Sequence, residues 1–96
     1  MHVRIADSAL QDLKAIQHYY REQDAASVGQ QFVTDIVHKL ERLKTHPESG
    51  RVVPEFEAQH IRELIHPPFR VVYLLNNDDI VLIRVWRSER RLQLPE

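Results

Sequence analysis

The chain of 96 residues is 43% hydrophobic and 28% charged, with 13 Lys and Arg against 14 Asp and Glu for a formal charge of -1. One small core follows, of a size that buries roughly 60 to 68% of the unfolded surface, and the near-neutral balance excludes a generic polycationic coat on nucleic acid, where affinity scales with phosphates neutralised. With no Cys, disulfides, thiolate catalysis and Cys-ligated zinc drop out together, and the chain suits a reducing compartment.

The opening Met1-His2-Val3-Arg4-Ile5 has no apolar signal-like run, and nothing approaches the roughly 20 apolar residues that span a bilayer. A cytoplasmic protein without a membrane partner is the expectation. Val3 to Ala6 reads as a short strand. Ser8-Ala9-Leu10-Gln11 then matches a capping box, predicting a helix to about Gln23 whose stripe is Ala9, Leu13, Ile16 and Tyr20, with Asp12, Lys14, His18 and Arg21 in water. Asp24 is the expected cap of a second helix, striped by Val28, Phe32, Ile36, Leu40 and Leu43, widened by Val33 and Val37, and stopped by Pro47. Lys39, Arg42 and Lys44 gather near its end, where cations suit the helix dipole. Gly29 inside this helix costs about 1 kcal/mol relative to Ala, which close approach of the first helix would offset. The two helices form a hairpin.

From His46 to His60 periodicity disappears, leaving either a turn of 3₁₀ helix around Glu55 to Ala58 or a functional surface loop. The last third is β: Ile61 to His66, Phe69 to Leu75 and Ile80 to Trp86, punctuated by Pro67-Pro68 and Asn76-Asn77-Asp78-Asp79. Val71 to Leu75 is apolar on both faces and should be the most buried strand, with Ile61 to Leu64 more exposed. The predicted class is α+β in the order β-α-α-β-β-β, a helical hairpin packed on a small antiparallel sheet, as one domain over residues 1–96.

Arg62, Arg70, Arg84, Arg87, Arg90 and Arg91 lie in or just after the strands, and no Lys follows Lys44. A four-residue hairpin loop at Asn76 to Asp79 places Val71 opposite Arg84 and Arg70 opposite Val85, so Arg70 and Arg84 are expected on opposite faces. Arg87, Arg90 and Arg91 offer planar donor forks to phosphate or carboxylate, or are solvated charges around an apolar sheet. Arg70, flanked by apolar residues on the central strand, demands a partner, and Glu63 is nearest by register. Trp86 is either a partner anchor or the closure of one end of the core. The six His show no metal spacing, no Ser sits in a nucleophile elbow, and there is no phosphate-cradling glycine loop, so neither a metal nor a cofactor is expected.

Taken in order, Pro47-Glu48-Ser49-Gly50-Arg51, Val53-Pro54-Glu55-Phe56, Ile61-Arg62-Glu63-Leu64, Phe69-Arg70-Val71-Val72-Tyr73 and Asp79-Ile80-Val81-Leu82-Ile83-Arg84-Val85-Trp86 closely resemble a ParE toxin of the RelE/ParE superfamily. The resemblance spans nearly the whole chain. It implies the toxin half of a type II toxin-antitoxin module, non-enzymatic, inhibiting DNA gyrase and neutralised by a ParD-like antitoxin, as a homodimer or in a heterotetramer with that antitoxin. It also implies two alternatives, a RelE-like ribosome-dependent mRNA endoribonuclease and an inactive antitoxin-binding module. The chain departs from ParE relatives in holding Arg87-Ser88 where a His-Gly pair often follows the last strand. Against the RelE nucleases, Ile61 and Glu63 replace lysines, Ser88 replaces a second Arg and Leu94 replaces a Tyr, so only Arg70 carries over. The residues that the resemblance and the arginine bias offer for target or partner binding are Arg62, Arg70, Arg84, Trp86, Arg87, Arg90 and Arg91.

Overall fold

The computed structural model describes residues 1–88. The spacing of Ala9, Leu13 and Ile16 buries one stripe of α1 (Asp7–Glu22), and Ile36 and Leu40 do the same for α2 (Ala26–Arg42). Between them Gly29 is buried, and a Cβ there would stand 3.0 Å from Tyr20 Cβ and 3.4 Å from Gln17 Cα, so the helices meet where the sequence has its glycine. Neither helix uses its expected cap. Ser8 donates its hydroxyl to the Ile83 carbonyl at 2.6 Å, leaving Ala6 as the first N-cap, and Asp24 takes a left-handed φ of 55° in the interhelical turn, leaving Ala25 as the second.

Five strands complete the fold: β1 (His2–Ile5), β2 (Arg51–Val52), β3 (Ile61–His66), β4 (Phe69–Leu75) and β5 (Asp79–Arg87), in the sheet order β1-β5-β4-β3-β2. The β3 and β4 limits match the sequence reading. The expected antiparallel sheet is mixed instead. β1 pairs in parallel with β5, from His2↔Asp79 to Ile5↔Leu82; the two strands are separated in the chain by both helices and the three other strands, ample for the crossover that a parallel pair requires. The aperiodic connector, read as a 3₁₀ turn around Glu55 to Ala58 or a surface loop, instead contributes a strand, β2, paired Arg51↔Glu63 and Val52↔Arg62.

The helices cover one face of the sheet with Phe69, Val71, Tyr73, Ile80, Leu82 and Val85, while Val53, Val72, Val81 and Ile83 form a second apolar cluster on the other face. Of the run Val71 to Leu75 expected to be most buried, Val71 to Tyr73 are buried, as are Phe69 and Arg70 before them, while Leu74 and Leu75 are half-buried. Leu75 faces Ile80 as predicted, but a bulge between Val72 and Tyr73 shifts the remainder: Tyr73 pairs with Leu82 and Val72 with Arg84, so Ile83 is the extra residue. Arg70 therefore faces Trp86, not Val85, and the register puts Arg70, Val72, Arg84 and Trp86 on the same face, correcting the expectation that Arg70 and Arg84 diverge.

Candidate functional site

β1 covers β5 only as far as Leu82, whose carbonyl takes the Ala6 N–H at 2.9 Å. Beyond that point α1 supplies side chains in place of a strand. Ser8 satisfies the Ile83 carbonyl, and Asp12 Oδ2 accepts the Val85 N–H at 2.9 Å. The same carboxylate binds Arg84 in a fork, Nε to Oδ2 at 2.7 Å and Nη2 to Oδ1 at 3.1 Å. Asp12 was expected in water; its side chain is 17% exposed because it completes the β5 edge.

Held this way, the Arg84 guanidinium carbon lies 4.3 Å from the centre of the Trp86 ring. Trp86 packs on the second apolar cluster, consistent with core closure, and its indole Nε1–H is buried without a hydrogen-bond partner among the described residues. Next along the strand, the Arg87 guanidinium carbon lies 5.6 Å from the Phe69 ring centre. Arg84, Trp86 and Arg87 line a hollow of about 480 Å³ against Tyr19 and Tyr20 of α1, and Tyr19 is 52% exposed. The hollow thus wraps the end of β5 with aromatic walls and two guanidinium groups. Arg90 and Arg91 lie outside the described residues.

Arg70 and Arg62 are spent elsewhere. Arg70 donates Nε to Glu63 at 2.6 Å, and its two terminal nitrogens form a fork with Glu55 at 2.6 and 2.8 Å. Glu63, expected on an exposed strand, is buried, and Arg51 Nε bonds its other oxygen at 2.7 Å. These carboxylates hold the Arg70 guanidinium charged even more firmly than usual, and the Arg70 fork keeps Glu55 below the ordinary carboxylate range. Arg62 Nη1 donates to the Gly50 carbonyl at 3.0 Å and Arg62 Nε to the Gln59 carbonyl at 3.0 Å. Both arginines therefore fasten the connector to the sheet.

Tyr73 fastens the same connector from within, donating its hydroxyl to the Pro47 carbonyl at 2.9 Å and accepting the Gly50 N–H at 3.0 Å. Burial pushes its phenol up. At the hairpin turn His66 lies edge-on to Phe32 with centroids 5.9 Å apart, and burial beside Lys39 pushes its imidazole down. Among the described residues no group of three or more His, Cys, Asp or Glu side chains is arranged to hold a metal ion, and no helix is long and apolar enough to cross a membrane.

Sequence reasoning found Arg84 and Trp86 but missed Asp12, which joins them to α1, and Glu55, which joins Arg70 to the connector. Asp12 carries no sequence signal beyond its position on the polar side of the stripe. A family model described as the ParE toxin of the type II toxin-antitoxin system parDE matches residues 3–92. A chain of the solved chromosomal ParDE toxin-antitoxin system from P. aeruginosa is similar, with a TM-score of 0.77 at 25% identity, covering 93% of this chain and 97% of that one. No curated protein sequence matches.

Proposed function

The chain belongs to the ParE toxin family of type II toxin-antitoxin systems, and from that premise we propose that it poisons DNA gyrase by binding, without chemistry of its own. The observation that carries this reading is the state of Arg70, the one residue retained from the nuclease set. Its Nε, Nη1 and Nη2 are all engaged by Glu63 and Glu55. Cleavage by 2′-OH attack needs a base, an acid and donors aimed at the developing phosphorane charge. Arg70 is committed to a structural network, and the carboxylates beside it serve the same network.

A binding poison needs only a complementary surface. The end of β5 presents aromatic area from Trp86 and Tyr19 with guanidinium groups from Arg84 and Arg87, the residue types that anchor protein interfaces. Acidic protein side chains and the phosphates of a cleaved DNA strand both suit it. The silencing partner in this reading is a ParD-like antitoxin in the cytoplasm, docking a helix along the apolar edges of α1 and α2 as a homodimer or heterotetramer forms. Supercoiling by purified gyrase tests the reading. The chain should inhibit it and accumulate cleaved DNA, and the antitoxin should relieve both; full supercoiling activity with mRNA cleaved in a translating extract would replace this reading with the nuclease one.

A further inference from the structure

At the C-terminal end of α2, on a different surface from the β5 hollow, Lys39, Arg42, His46, Ser49, Leu64 and Ile65 line a hollow of about 310 Å³. Four of these side chains carry hydrogen-bond donors and none is acidic. For a chain with a formal charge of -1, a solvated surface would intersperse both signs. The neighbouring acids are placed elsewhere: Glu41 pairs with Lys44 at 2.7 Å, Asp35 stands 4.0 Å from His66, and Glu48 lines an adjoining hollow with His46, Pro47 and Ser49.

The donors are also positioned. Lys39 Nζ donates to the Ile65 carbonyl at 3.2 Å, which fixes the ammonium beside β3 and leaves two further N–H groups. Arg42 lies three residues further along α2 and makes no ion pair among the described residues. Thr45 has a single hydroxyl proton, which it donates to the Arg42 carbonyl at 3.1 Å, so in its 3.0 Å contact with His46 Nδ1 it accepts. In this arrangement Nδ1 carries a hydrogen. Cations in a last helical turn suit the dipole on their own, but that does not bring His46 and Ser49, both past α2, to the same hollow.

The geometry points to a phosphate-binding site at this end of α2, independent of the target reading. A tetrahedral oxyanion uses donors arriving from several directions, here an ammonium, a guanidinium and a hydroxyl with His46 on the rim, whereas a planar carboxylate is satisfied by the guanidinium fork alone. The phosphate is either a free ion or part of a nucleic-acid backbone.

The test titrates inorganic phosphate, and separately a short DNA duplex, into the isotope-labelled chain and into K39Q/R42Q, with R42K as the conservative variant. Phosphate should shift the amide resonances of residues 39–49 in the wild-type chain, less in R42K and not in K39Q/R42Q, whose other resonances should stay in place. If the backbone is the source, the double variant should bind the duplex about tenfold more weakly, with a salt dependence shallower by roughly one to two phosphate contacts. Unchanged duplex affinity together with the phosphate response assigns the site to the free ion. No response to phosphate, or a response that survives in K39Q/R42Q, overturns the proposal.

Discussion

Asp12 and Arg84 form a two-bond pair, 2.7 and 3.1 Å, across the junction of α1 with β5, and the Asp12 oxygen that meets Arg84 Nε also closes the strand edge by accepting the Val85 N–H. One carboxylate thus serves packing and presentation together. Asp12→Ala should cost about 1 to 3 kcal/mol, because a part-buried guanidinium and a backbone N–H both lose their acceptor. In a domain of this size that lowers the melting temperature by several degrees, roughly 4 to 8 °C per kcal/mol. Asp12→Asn, which keeps an acceptor for the N–H, should recover part of the loss. Equal melting temperatures for wild type and Asp12→Ala contradict the pairing.

Arg70 with Glu63 and Glu55 gives the second prediction. Arg70→Leu strips a partner from a Glu63 side chain that is 0% exposed, and breaking a buried pair on one side costs roughly 3 to 5 kcal/mol. The urea midpoint should fall accordingly. Arg70→Lys keeps the charge but not the fork and should fall in between. Where Arg70→Lys is folded, toxicity should persist if the residue serves only to fasten the connector; loss of toxicity in a folded variant contradicts that assignment.

The limits of β3 and β4 and much of the core were legible because each has a local signal: Pro67-Pro68 and the Asn-Asp run mark the turns, and Val71 to Tyr73 is apolar on both faces. The bulge was not, since Ile83 is one more apolar residue in the uninterrupted run Ile80 to Ile83, with neither glycine nor alternation to expose it. That single residue reversed the face assigned to Arg84. Glu63 was legible as the partner of Arg70 from strand register, whereas Glu55 lies in an aperiodic connector whose path no spacing encodes. Asp12 looked solvated because a polar helix position facing a strand edge and one facing water read alike. Of the seven arginine and tryptophan candidates, Arg84, Trp86 and Arg87 come together at one hollow, Arg62 and Arg70 serve the connector, and Arg90 and Arg91 lie outside the described residues.

Gly50 is predicted to admit no side chain. A Cβ there would stand 2.5 Å from Tyr73 Oη and 2.7 Å from the Glu63 carbonyl oxygen, and the latter is backbone that cannot step aside. Gly50→Ala should lose about 1 to 3 kcal/mol by overpacking, read as a lower urea midpoint. Gly50→Ala combined with Tyr73→Phe should recover little, because the Glu63 carbonyl remains in place; full recovery in the double variant would place the clash on the hydroxyl alone.

His66 sets a pH dependence. Burial next to Lys39 depresses its imidazole from the ordinary 6.5, with Asp35 acting in the opposite sense. The unfolded chain therefore binds the proton more readily, so this contribution is complete above pH 6.5 and is lost as pH falls through the lower folded value. His66→Gln should flatten the stability profile below about pH 6.5. A variant profile as steep as that of the wild type would assign the dependence to other groups.

A gyrase poison of the kind proposed stops replication by binding and leaves RNA uncut. Inducible expression with separate labelling of DNA and protein synthesis tests it most directly, read within minutes of induction and repeated with Arg87→Glu. DNA labelling should halt first while protein synthesis continues, cells should filament, and Arg87→Glu, which leaves the strand core intact, should remove the effect. Early arrest of protein synthesis with cleaved mRNA, while DNA labelling continues, would contradict it.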